Sequence, residues 1–169
     1  MRPAITLIEL LVVIALVGII AGVGWPSLEG WNCRQNLRND FERFNLFMSR
    51  VQSEGASRNE TTLVHVNLNN GQTSLRAYQL VNDTCALTNE LLLEPQIPRL
   101  DLPADTGVVH GTGMEFQCFY PDGSADANTY QFNRTCSDKK YLYKNQFFGA
   151  TGLIEKLKYN YTSKSWNDL

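Results

Sequence analysis

From Ile5 to Trp25 the chain reads ITLIELLVVIALVGIIAGVGW, twenty-one residues interrupted by a single charge, Glu9. A helix that is apolar on every side has no face to offer water, so it must be buried in protein or lipid. At 1.5 Å per residue the run is about 31 Å long, the thickness of a bilayer's hydrocarbon core. An acidic side chain at the centre of such a helix costs roughly 2.5 to 3.5 kcal/mol, and less toward an end. The rest of the run is apolar enough to offset that cost, so the segment is expected to span a membrane. Membrane insertion by itself gives Glu9 no role.

After Trp25-Pro26 the pattern becomes that of an amphipathic helix reaching about Ser57. Leu37, Phe41, Phe44, Met48 and Val51 follow one another at steps of four and three, one face of a helix that needs a partner surface. Arg38, Asp40, Arg43, Arg50 and Glu54 are read as the opposite, solvated side. Beyond Ser57 the period changes to that of strands. Thr61 to Leu68 and Ser74 to Leu80 flank Asn69-Asn70-Gly71 and predict a hairpin. Phe116, Cys118 and Tyr120, then the turn Pro121-Asp122-Gly123-Ser124, then Tyr130 and Phe132 predict a second one. Asn82 to Gly113 reads as a long loop, and Gly152 to Tyr159 as a last strand. The expected fold class is α+β, a long helix packed on an antiparallel β-sheet head. At 169 residues there is room for one domain beyond the apolar end.

Net charge is −2 with the signs mixed, so no strong basic field marks the chain as a whole for nucleic acid. The carboxy-terminal stretch is the exception. There Arg134, Lys139, Lys140, Lys144, Lys156, Lys158 and Lys164 outnumber Asp138, Glu155 and Asp168. A solvated face accounts for that surplus; the alternative makes Arg134, Lys139, Lys140, Lys144, Lys156 and Lys158 candidate DNA contacts. Four cysteines, Cys33, Cys85, Cys118 and Cys136, show no C-x-x-C pair and no histidine at metal-ligand spacing, so neither a metal nor another cofactor is expected. An even count beyond a membrane segment suits two disulfides in an oxidising compartment. Cys33 lies 28 residues after Ile5, about 42 Å along a helix and so outside a 30 Å hydrocarbon core. Three connectivities are open. The local pair Cys118–Cys136, with Cys33–Cys85 tying helix to head, is favoured, and buried free thiols are the alternative. His65 reads as a sheet residue and His110-Gly111-Thr112-Gly113 as a glycine-rich loop. No catalytic constellation points to an enzyme.

The stretch Ala4-Ile5-Thr6-Leu7-Ile8-Glu9-Leu10-Leu11 resembles the class III signal of type IV pilins and type II secretion pseudopilins. The resemblance implies a leader of residues 1–4, removed by prepilin peptidase between Ala4 and Ile5, and methylation of the new amino terminus at Ile5. Residues 5–25 would then be the transmembrane and assembly helix, 26–57 its amphipathic continuation, and 58–169 a periplasmic β-rich head. Glu9 falls where that family keeps its glutamate, and Pro26 where many of its members have a proline that kinks the helix. Ala4 and Ile5 depart from the glycine and phenylalanine most usual at the cleavage point, although both keep the small and apolar character it requires.

Downstream, Arg50 to Asn59 running into a strand, and Phe119-Tyr120-Pro121-Asp122-Gly123-Ser124, resemble the FimT/FimU branch of minor pilins and the H-type minor pseudopilin of type II secretion. The resemblance implies a minor pilin that helps prime or cap a filament. Its partners would be other major and minor pilins, the inner-membrane assembly platform, prepilin peptidase and, before assembly, membrane lipid. Its place would be the inner membrane with a periplasmic head, and then the pilus. A minor pseudopilin and a DNA-binding minor pilin for natural transformation stand as alternatives.

Overall fold

The structure, a computed structural model of the chain, describes residues 7–69, 71–81, 85–86, 90–93, 96–111 and 115–169, the side chains of 20–27 aside. One helix, α1 (Leu7–Arg58), supplies 52 residues and runs through Pro26 to the head. It stops where Asn59 turns left-handed at φ 57°. There the Asn59 amide donates to the Ala56 carbonyl (3.3 Å) and the Glu60 amide to that of Gly55 (3.0 Å), which satisfies carbonyls the helix end would otherwise leave open. Gly55, one turn earlier, serves close packing. A Cβ there would come within 2.8 Å of the Thr62 hydroxyl, so the missing side chain lets the first strand lie close against α1.

Two antiparallel sheets pack on the second half of α1. The first contains β1 (Thr62–Asn69), β2 (Gln72–Leu80), β3 (Glu90–Leu92), β4 (Leu100–Leu102) and β6 (Phe116–Phe119). Its order is β3-β2-β1-β6, with β4 also pairing β2. The second runs in the order β10-β9-β8-β7-β5, built from β5 (Gly107–His110), β7 (Asn128–Cys136), β8 (Lys139–Phe147), β9 (Ile154–Asn160) and β10 (Ser165–Asp168). The first hairpin forms as its turn residues demand, Thr62 opposite Gln79 through Asn69 opposite Gln72, with Gly71 at φ 81°. The second does not. β6 pairs β1 while β7 pairs β8 over nine residues, from Asn128–Phe147 to Cys136–Lys139. Pro121 to Ser124 instead turns the chain from one sheet to the other. Ser124 donates to Asp122 there at 2.9 Å, and the Gln52 side-chain amide of α1 holds the Gly123 carbonyl at 3.2 Å and the Gly152 carbonyl at 3.1 Å. The expected loop from Asn82 to Gly113 contains β3, β4 and β5 among its described residues, and β10 follows the strand read as the last.

The core lies between the helix stripe and both sheets. Leu37, Phe41, Phe44, Met48 and Val51 are fully buried, as their spacing requires. Phe41 stacks on Tyr143 and meets Phe132 edge-on, each at 5.2 Å, while Phe44 touches Tyr130 at 5.1 Å and Phe132 at 4.9 Å. Offset and edge-on pairs of this kind add about 0.5 to 1.5 kcal/mol each beyond area burial. This explains why β7 turns Tyr130 and Phe132 toward α1 and takes β8 as its neighbour instead of folding back on β6.

The favoured disulfide pairing is corrected. Cys33 bonds Cys136 and Cys85 bonds Cys118, with Cα separations of 5.7 and 6.1 Å. Cys118 and Cys136 lie close in sequence but in different sheets, β6 and β7. Cys136 ends β7 beside the helix at Cys33, where Ser137 packs on Gly30. Cys118 points to the outer face of the first sheet, where the chain around Cys85 covers it together with Leu63, Tyr78 and Leu80.

Candidate assembly surface

Among the described residues, the start of α1 from Leu7 to Ile19 stands clear of the head. Leu7, Ile8, Leu10, Leu11, Val12, Val13, Ile14, Leu16, Val17 and Ile19 are each between 53 and 76% exposed. Fully burying side chains of this size contributes about 1.5 to 3 kcal/mol apiece, so the uncovered surface represents on the order of 15 to 30 kcal/mol. Contiguous apolar surface this large marks a site of association. Glu9 lies within it, exposed, in the first turn of the helix. A carboxylate there interacts favourably with the positive end of the helix dipole. Ala4 and Ile5, the expected cleavage pair, lie outside the described residues, as does the side chain of Pro26.

Among the described residues no helix is long and apolar enough to cross a bilayer. Ile5, Thr6 and the side chains of Ile20 to Trp25, which complete the expected span, lie outside the described residues.

Where the helix enters the head, a buried polar cluster replaces the expected solvated position at Asp40. The Asp40 carboxylate, 5% exposed, accepts from Arg134 at 3.0 Å and from the Thr106 hydroxyl at 2.8 Å. Arg134 donates further to the Asp105 carboxylate at 2.8 Å and also to Thr106. Farther along α1 the Asn45 amide donates to the Phe41 carbonyl at 2.8 Å and accepts from Asn145 at 3.0 Å. A buried charge needs such pairing, because desolvation costs several kcal/mol per ion. Periodicity held the signal for Asp40. It sits three residues after Leu37 and four before Phe44, on the buried stripe itself.

The candidate DNA contacts do not form one surface. Arg134 is 6% exposed and committed to the cluster just described. Lys156 reaches back to Glu42 of the helix at 2.8 Å, and Lys144 sits over the Trp166 ring at 4.9 Å, one of a group in which Tyr159 meets both Trp166 and Tyr161 edge-on. Lys139, Lys140 and Lys158 are exposed. They stand on strands whose inward faces are turned to α1. The expected DNA role for Arg134 is therefore set aside. Cys85, Cys118 and Asp126 come together, but both sulfurs are in the disulfide and present no thiolate to a metal.

No family profile matches this sequence, and no curated protein does. Among solved structures, the fold is similar to the crystal structure of the type IV minor pilin FimU of Pseudomonas aeruginosa. The TM-score is 0.53 over 72% of this chain and 88% of that one, at 16% identity. The chain thus has a pilin-like α+β fold, a long amino-terminal helix carrying a head of antiparallel sheets.

Proposed function

We propose that this chain is a minor subunit of a type IV pilus, processed between Ala4 and Ile5 and carried into the filament by the first half of α1. The observation that supports this is the apolar surface from Leu7 to Ile19 with Glu9 in its first turn, on a chain whose fold is pilin-like. Before assembly, the longer run from Ile5 to Trp25 holds the protein in the inner membrane with its head in the periplasm. In the filament the same surface is buried against neighbouring pilin helices. Cleavage creates a cationic amino group at Ile5. Glu9, four residues on, neutralises that group on its own or a neighbouring subunit, an attraction that is strong where the dielectric is low. Prepilin peptidase and the inner-membrane assembly platform are the partners this route requires.

Glu9→Ala tests the mechanism. The variant stays in the membrane fraction but enters sheared filaments far less than the native chain; equal incorporation would overturn the role of Glu9. Mass spectrometry of the amino-terminal peptide tests the reading as a whole and is expected to find methylated Ile5. An intact Met1, or cleavage near Gly24, sinks it. Deleting the gene and scoring twitching and transformation against exoprotein secretion separates a pilus subunit from an H-type pseudopilin.

A further inference from the structure

The outer face of the first sheet, turned away from α1, holds a polar groove of about 610 Å³ lined by His65, Asn67, Asn69, Gln72, Ser74, Arg76, Tyr78 and Arg99. Its volume lies in the range of small-ligand sites. Register explains why these groups converge. His65 pairs with Arg76, and Leu75 with Leu100, so continuing the second register by one residue places Arg99 opposite Arg76. One row across three strands thus reads His65, Arg76, Arg99. The next row reads Asn67, Ser74, Asp101, and the third Asn69 and Gln72. Like charges directly opposite one another on a sheet are destabilising, so a cross-strand arginine pair needs an anion. Asp101 supplies part of it, bonding Arg99 at 2.7 Å, and Glu115 lies 3.8 Å from His65. Arg76 is exposed, and among the described residues no carboxylate pairs with it.

We propose that this groove binds an acidic oligosaccharide, its carboxylate on Arg76 and its hydroxyls over the amide rows. A guanidinium offers a planar fork that matches a carboxylate with two parallel hydrogen bonds. Asn67, Asn69, Gln72 and Ser74 each both donate and accept, which is what sugar hydroxyls require. The distance from His65 to Asn69, four residues at about 3.4 Å each, gives a track about 14 Å long with both arginines at one end, and Asp101 of the second row already bound to Arg99. That asymmetry excludes duplex DNA, which carries a charge every 1.7 Å or so along its axis and would meet neutral amides over most of the groove. This inference is independent of the pilus reading, because it concerns the isolated subunit.

Isothermal titration of the full chain in detergent tests it, with trigalacturonate, its neutral methyl ester and inorganic phosphate as probes. Trigalacturonate is expected to bind, with the methyl ester at least tenfold weaker and phosphate without measurable binding. Arg76→Gln is expected to weaken trigalacturonate at least tenfold. Arg58→Gln, an equal loss of charge at the far end of α1, leaves the affinity unchanged. Asn67→Ala is expected to weaken it severalfold, and the methyl ester equally. No binding of trigalacturonate, equal affinity in Arg76→Gln, an equal loss in Arg58→Gln, or phosphate binding as tightly as the saccharide would each overturn the proposal.

Discussion

Arg134 of β7 and Asp40 of α1, 94 residues apart, form an ion pair at 3.0 Å with both side chains nearly sealed from water. Removing one partner strands the other charge. Arg134→Ala is expected to destabilise the chain by about 3 to 5 kcal/mol, whereas the double replacement Arg134→Met with Asp40→Leu recovers most of the loss. Denaturant titration of the purified chain in detergent measures both.

The two disulfides differ in the length of chain they close. Cys33–Cys136 spans 103 residues and Cys85–Cys118 spans 33. Chain-entropy arguments put their contributions at roughly 4.7 and 3.7 kcal/mol. Cys136→Ser is therefore expected to lower the melting temperature more than Cys118→Ser. Non-reducing peptide mapping should recover Cys33 joined to Cys136; recovery of Cys118 joined to Cys136 would refute the pairing.

Phe44 touches Tyr130 and Phe132 at the centre of the core, and Leu46, two residues on, is 68% exposed. Phe44→Ala is expected to cost about 3 to 5 kcal/mol, and Leu46→Ala less than about 0.5 kcal/mol. Thermal melts of the two variants side by side provide the check.

Burial raises the Tyr130 hydroxyl well above its ordinary 10.0, in spite of the hydrogen bond from Asn128 that opposes the shift. The folded state therefore keeps this proton when the unfolded chain has lost it. Stability is unaffected below pH 10 and falls as pH rises beyond it, by up to about 1.4 kcal/mol per pH unit for this group. Tyr143, raised mainly by burial too, acts in the same direction. Tyr130→Phe is expected to flatten the alkaline limb of a stability-against-pH curve; an unchanged slope would show that Tyr130 does not set it.

Much of the fold was legible because periodicity reports burial directly. The stripe from Leu37 to Val51 and the turn at Gly71 each follow from local chemistry. What escaped depended on contacts distant in sequence. Asp40 stands on the buried stripe, but its partner shows only when Arg134 arrives from β7, and Arg134 looks like a basic surface group until Asp40 arrives from the helix. The cysteines misled for the same reason, since proximity along the chain favours Cys118–Cys136 while the sheets hold them apart. Only in three dimensions do His65, Arg76 and Arg99 share a row, because that row is a property of strand register.

The bond from Cys33 to Cys136 also fixes how the chain would carry a load. A pull applied to the apolar half of α1 reaches the second sheet through covalent bonds at residue 33, before it meets the aromatic packing farther up the helix. The base of the head therefore cannot peel from α1 under tension. The first rupture must come elsewhere, and reducing agents should lower the force at which the head separates from its stalk.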